Sequence, residues 1–335
     1  MEGRPLRSGP GRLSRRARLT PGERLPYGAA LPRPMTQLPR PRLLVITGKG
    51  GVGKSTVSAA LALALARSGQ RTLLCEVNSG GGATALLGYP PAGPNLAQVE
   101  GDLWSVDVRP AEAMREYVLT KIRFERVYRA VFENPLVRAF LRFIPSLAET
   151  VMLGKVCWHM RETDGERKRW DAVVLDAPAT GHALTFLGVP QVLLDTLPPG
   201  TMAEEASWMR DMLVDPAVTG ALVVSLPEEL PVLESVELAA GLRARHITLS
   251  AVVVNQATDA RFLPEEVRAL GGVPSLQALA RSHAEEAERT RDAVERLQAL
   301  GAPVLRLPRL YPGAMDPAAL EALGAALLAG LEERR

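Results

Sequence analysis

The chain has 335 residues, 47% of them hydrophobic and 4% aromatic, with a formal net charge of +3 at pH 7, the balance of a globular protein long enough to bury a complete core. Its longest apolar runs, LSAVVVN and GALVVSL, fall well short of the roughly 18 residues a membrane-spanning helix needs, so no integral membrane segment is expected. Cys75 and Cys157 lie outside any CxxC or Cys/His spacing. Neither a disulfide framework nor an intrachain zinc site is predicted, and a reducing cytoplasm is the expected location.

Residues 1–40 carry Arg4, Arg7, Arg12, Arg15, Arg16, Arg18, Arg24, Arg33 and Arg40 against Glu2 and Glu23, with prolines and glycines throughout. Too little apolar surface is present to offset the ordering entropy, and the segment reads as a disordered basic tail. Three origins fit it: a start assigned too early with initiation at Met35, a tether for nucleic acid or another acidic surface, or an arginine-rich transit peptide. Apart from this tail, nothing in the chain suggests nucleic-acid contact.

Residues 41–335 read as one domain. In chain order the strands are RLLVIT, TLLCEV, LWSVDV, WDAVVLD, GALVVS, ITLSAVVVN and PVLRLP, and the helices fall at 55–68, 110–162, 231–244, 275–299 and 317–332. Strands apolar throughout suit burial on both faces, and helical crossovers between them predict an α/β fold with a doubly wound, mostly parallel sheet. Ligands of such sheets sit at the carboxyl ends of the strands. A helical subdomain, approximately 110–165, is inserted between strands. It holds Phe124, Phe132, Phe140 and Phe143, and Leu136, Val137, Phe140, Leu141 and Ile144 follow the spacing of one helix face. In TMAEEASWMRDML (201–213), Met202, Ala206, Met209 and Leu213 share a side. Both faces fit either the core of the helical subdomain or a soft docking surface for a hydrophobic protein client.

Residues 48–56, GKGGVGKST, carry the chemistry. Gly48, Gly53, Lys54 and Ser55 satisfy GxxxxGK[ST] between an apolar strand and an Ala/Leu-rich helix, the context a P-loop requires. The loop Gly48, Gly50, Gly51, Val52, Gly53, leading into Lys54, Ser55 and Thr56, can curl so that backbone N–H groups and the helix dipole converge on phosphates. Lys54 then reaches the β/γ-phosphates of ATP and Ser55 coordinates Mg²⁺. WDAVVLDAPATGH (170–182) supplies a strand ending in Asp176, followed by a small-residue loop. That carboxylate can hold Mg²⁺ through water, or alternatively cap the next turn.

The second lysine of the loop, Lys49, makes it resemble the KGGxGK[ST] loop of the deviant-Walker-A P-loop ATPases, including the MinD/ParA and nitrogenase-iron-protein groups. There the extra lysine contacts nucleotide across a dimer interface, which implies that role for Lys49. A second cation near the β/γ bridge would offset charge developing in phosphoryl transfer; the alternative is a solvated surface lysine. Within that class the chain resembles the ArsA-like (arsenite-pump and guided-entry) ATPases. DAPATGH is similar to their DTAPTGH switch, and VVVNQ (252–256) to their strand-end VNQ, which implies adenine recognition by Asn255. IPSLAE (144–149), LPEELPVLES (226–235) and LRLPRLYPGAMDPAAL (305–320), with Pro308, add to the likeness. It implies one ATPase module, pairing as a homodimer or with an ArsA-like paralogue.

Where the family generally carries aspartate, in DPAH or EVDAKG, this chain has Asn78. On the second strand Glu76 would share its face. Asparagine can orient an attacking water but is a negligible base, which predicts slow turnover; the alternative is that Asn78 only forms a turn with Ser79 and Gly80. The expected function is a cytoplasmic, dimeric, Mg-ATP-dependent ATPase whose nucleotide state rearranges the helical subdomain to bind or release a partner. The alternative is a hydrolysis-deficient regulatory subunit paired with an active paralogue. Arsenite-driven activity is disfavoured by the missing cysteine set.

Overall fold

The computed structural model describes residues 41–122, 146–261, 264–269, 274–310 and 316–332. The basic segment 1–40 and the phenylalanine-rich face of the insertion, with Phe124, Phe132, Leu136, Val137, Phe140, Leu141, Phe143 and Ile144, lie outside the described residues.

The first half of the chain forms β1 (Leu43–Gly48), α1 (Lys54–Arg67), β2 (Thr72–Val77), α2 (Gly82–Leu86), β3 (Ala97–Glu100), β4 (Leu103–Val108), α3 (Pro110–Ile122) and α4 (Leu147–Arg161). A short hairpin, β5 (Thr163–Asp164) and β6 (Arg167–Lys168), leads to β7 (Ala172–Ala179), α5 (Thr180–Thr196) and α6 (Thr201–Val214). The remainder comprises β8 (Thr219–Ser225), α7 (Glu229–Ala244), β9 (Leu249–Ala257), α8 (Pro264–Ala269), α9 (Pro274–Gln298), β10 (Val304–Pro308) and α10 (Pro317–Glu332).

Eight strands make one sheet in the order β10-β9-β8-β1-β7-β2-β4-β3, parallel except for the β3–β4 edge. This is the mostly parallel α/β architecture of a P-loop NTPase. Its central strands β1, β2, β7 and β8 are buried on both faces, and the period-two alternation divides their side chains. Leu43, Val45, Leu73, Cys75, Val173 and Leu175 join one core with α4, α5 and α6. Leu44, Ile46, Leu74, Val174 and Leu222 join the other with α1 and α10. Helix α1 is apolar all round because it lies between the sheet and α10, and residues 57–66 are buried without interruption. Each fully buried leucine there, such as Leu61 or Leu65, contributes about 1.5–3 kcal/mol.

Three features depart from the sequence-based expectations. Short elements β3, β5, β6 and α2 arise where no long apolar pattern announces them. β7 runs past Asp176 to Ala179, which pairs with Gly48 after a register shift, and α5 begins at Thr180. The small residues Ala177, Pro178 and Ala179 therefore extend the strand where a loop was expected. Finally, Ala206, Met209 and Leu213 are buried in the core, so that stripe is core rather than a docking face, while Met202 is 53% exposed. Among the described residues no helix is long and apolar enough to cross a membrane.

Candidate nucleotide-binding site

The P-loop joins the carboxyl end of β1, at the centre of the sheet, to the amino end of α1. Its shape demands glycine at two points. Gly53 sits at φ 91°, and a Cβ there would collide with the Asn255 side-chain amide; Gly48, at φ 152°, abuts the Val224 carbonyl. Both positions combine a left-handed φ with a close approach that only glycine tolerates. Val52 is buried, whereas Gly50 and Gly51 are exposed at the loop tip and Thr56 is half-buried in the first turn of α1.

Asp176 lies on the α1 face of β7, as its even register with Ala172 and Val174 requires. Its carboxylate accepts a hydrogen bond from Ser55 Oγ (2.7 Å, on Oδ2) and another from Ser58 Oγ (3.0 Å, on Oδ1). Burial raises the Asp176 pKa above the ordinary carboxylate value; the two hydroxyl bonds oppose this, Glu76 adds to it and Lys54 opposes it. The Lys54 pKa is lowered by burial, which Asp176 partly offsets. Lys54 Nζ donates to the Lys49 carbonyl at 2.9 Å, closing the cationic end over the loop. A hydroxyl and a carboxylate in contact are the oxygen donors a hard divalent cation takes, and a glycine-shaped loop with a helix N-terminus and a lysine suits a phosphate chain. The residues present therefore fit Mg²⁺ and a nucleoside triphosphate.

Other sequence-predicted residues are placed around this cluster in different ways. Lys49 Nζ pairs with Glu234 Oε1 of α7 at 2.8 Å, both side chains about one-third exposed (30% and 33%). Asn255, two residues before the end of β9, lies against the P-loop: its Nδ2 donates to the Val52 carbonyl (2.9 Å) and its Oδ1 accepts from the Gln256 N–H (2.9 Å). In this arrangement its amide supports the loop. Pro308 closes β10 opposite Ala257 at the same edge. Asn78 is exposed at φ 49°, with its N–H donating to the Val108 carbonyl at 3.0 Å. The pleat thus ends at Val77, and the inference that Glu76 and Asn78 share a face does not extend past the strand.

The family profile described as Anion-transporting ATPase matches residues 41–199. ATPase BagA of Mycobacterium tuberculosis is 30% identical over 232 residues, 68% of this chain and 68% of BagA. The chain belongs to the ArsA-like ATPase family. Two further relatives of this ArsA-like ATPase are ATPase GET3 of Kluyveromyces lactis, 23% identical over 66% of this chain and 73% of GET3, and ATPase ARSA1 of Chlamydomonas reinhardtii, 24% identical over 64% of this chain and 35% of ARSA1.

Two residues of the ArsA-like ATPase take roles at the site that sequence reasoning missed. Ser58 is one, signalled only by a hydroxyl amid the alanines and leucines of α1. Glu234 is another. Beside the site lie two fully buried carboxylates: Glu76, which the sequence pairs with Asn78 on one strand face, and Asp107, whose sole hint was a charge inside the otherwise apolar strand LWSVDV. Glu76 accepts four bonds: from Ser79 Oγ (2.8 Å), Ala83 N (2.8 Å), Thr84 N (3.0 Å) and Thr84 Oγ1 (2.7 Å). Two of these cap the amino end of α2, so Glu76 is a brace for the Asn78 loop and not a free base.

Proposed function

We propose that this ArsA-like ATPase binds Mg-ATP at the P-loop, pairs in the nucleotide-bound state with a second ArsA-like chain, a copy of itself or a paralogue, and hydrolyses ATP slowly. The pairing rearranges the inserted helical segment, approximately 110–165, to bind or release a hydrophobic protein partner. The observation carrying this reading is the gathering of the half-buried Lys54 and Ser55 around the buried Asp176 at the carboxyl edge, with the Lys49 side chain outside the cluster.

Lys54 would neutralise phosphate charge, while Ser55 and Asp176 would hold Mg²⁺, which supplies charge stabilisation to the transferring phosphoryl group when bound. Lys49 is available for a different task. A surface ion pair such as Lys49–Glu234, its side chains about one-third exposed, is worth about 0–1 kcal/mol, so exchanging Glu234 for a nucleotide across an interface costs little. On the same helix Leu230 (63%), Leu233 (42%) and Val236 (37%) are exposed, an apolar surface suited to covering by the second chain.

The alternative of a hydrolysis-deficient regulatory subunit draws on one observation: the buried carboxylates Glu76, Asp107 and Asp176 are each committed to hydrogen bonds, and asparagine stands at position 78. Arsenite chemistry draws on none. Cys75 and Cys157 are fully buried free thiols, and burial pushes the Cys157 pKa up to about 12, away from the thiolate that a soft ion needs. Multiple-turnover ATP hydrolysis by the purified chain separates the two readings of the nucleotide site. Slow Mg²⁺-dependent turnover that Lys54→Ala abolishes is the expected result; Mg-ATP binding without turnover, in the chain alone, would favour the regulatory subunit.

A further inference from the structure

Strands β7, β2 and β4 bring three buried carboxylates into register: Asp176 opposite Glu76, and Glu76 opposite Asp107. Asp176 belongs to the metal-binding cluster and Glu76 braces the loop. Asp107 faces in two directions. Its Oδ1 accepts the backbone N–H of Ser79 at 3.1 Å, one residue past Asn78. Its Oδ2 accepts Arg109 Nε at 2.7 Å. Arg109 in turn caps α3, since its carbonyl receives the Ala113 N–H at 2.9 Å. Alongside, the Asn78 N–H donates to the Val108 carbonyl.

We propose that Asp107 is a coupling residue: through its two carboxylate oxygens it transmits a displacement of the loop 78–84 to α3, the first helix of the inserted segment. The inference rests on the reading that this loop responds to nucleotide. Glu76 holds Ser79, Ala83 and Thr84 together, so a shift imposed at Asn78 is not absorbed inside the loop. A buried carboxylate that loses one donor is left under-satisfied. Moving Ser79 therefore either drags Asp107 and with it Arg109, or is opposed by them. The link is a contiguous series of hydrogen bonds, and its coupling is measurable.

The test is amide hydrogen exchange on the full chain, with and without Mg²⁺ and the analogue AMPPNP at saturation. In the wild type, nucleotide is expected to change exchange in peptides covering 78–86 and in peptides covering 110–122. Asp107→Asn offers one acceptor to two N–H donors, so the loop still responds while the α3 response falls by about tenfold, the scale set by losing a hydrogen bond to a charged group. Arg109→Ala cuts only the α3 side of the link at a half-exposed side chain, and gives the same loss if the Asp107 variant fails to fold. Affinity for a fluorescent ATP analogue stays within about twofold of wild type in both, since neither touches the P-loop cluster. An α3 response undiminished in Arg109→Ala overturns the coupling role while leaving the nucleotide reading intact. A wild type in which neither region responds overturns the reading itself.

Discussion

Replacing Asn78 by aspartate tests the chemistry of the site with little disturbance of its frame. Asn78 is exposed and left-handed, at φ 49°, a conformation that aspartate tolerates much as asparagine does. Its structural bond is made by the backbone N–H, which the substitution keeps. Stability should stay within about 0.5 kcal/mol of wild type, as for other surface changes. The rate should not. The three buried carboxylates nearby are already committed, so the carboxylate introduced by Asn78→Asp would add an acceptor that can both orient water and take its proton. General-base assistance is typically ~10²–10⁴-fold, and a loose phosphoryl-transfer transition state favours the lower end. We expect single-turnover hydrolysis at saturating Mg-ATP to rise by about 10²-fold, or about 2.7 kcal/mol of barrier. A rate within twofold of wild type would refute the reasoning and leave Asn78 as a turn residue. Glu76→Gln is the necessary companion. Whichever oxygen becomes NH₂ then confronts the Ala83 or Thr84 N–H, so this variant loosens the loop and slows turnover without Glu76 being a base.

Two further outcomes concern the Asp176 cluster. Ser58→Ala removes the donor on Asp176 Oδ1 and should weaken Mg²⁺ half-saturation of fluorescent-ATP binding by up to about tenfold; unchanged half-saturation would show that Ser55 alone orients the carboxylate. Burial places the folded-state pKa of Asp176 above its ordinary 3.8, so the folded state binds that proton more tightly than the unfolded chain. This contribution to stability is full below the ordinary value and disappears as pH rises through the raised one. At neutral pH, Asp176→Asn should therefore raise the apo melting temperature while abolishing the extra stabilisation by Mg-nucleotide. A lower apo melting temperature would contradict the sign.

The long elements were legible because their patterns are strong. The apolar runs around β1, β2, β7, β8 and β9 and the Ala/Leu run of α1 specify a buried parallel sheet, and the P-loop motif places the nucleotide edge. What escaped depends on contacts between distant residues. Neither TLLCEV nor LWSVDV reveals that Glu76 spends both oxygens on α2 and Ser79, or that Asp107 joins that loop to α3, because a charge in a buried strand has meaning only once its partners are known. Asn255 shows the same limit: the strand-end motif marks an important amide, but its hydrogen bond to Val52, 203 residues earlier, exists only in the fold. The strand period likewise assigned Asn78 to the face of Glu76 and so misplaced it, because alternation stops where φ turns positive.

Nucleotide-dependent pairing is the centre of the account, and sedimentation of the purified chain with and without saturating Mg²⁺ and ATP measures it directly. The predicted result is a rise in mass toward a dimer with ATP, for the chain alone or mixed with an ArsA-like paralogue, that Lys49→Ala greatly reduces while fluorescent-ATP affinity of the monomer is retained. Identical sedimentation profiles with and without nucleotide, for the chain alone and with paralogue, at concentrations that saturate the site, would contradict it.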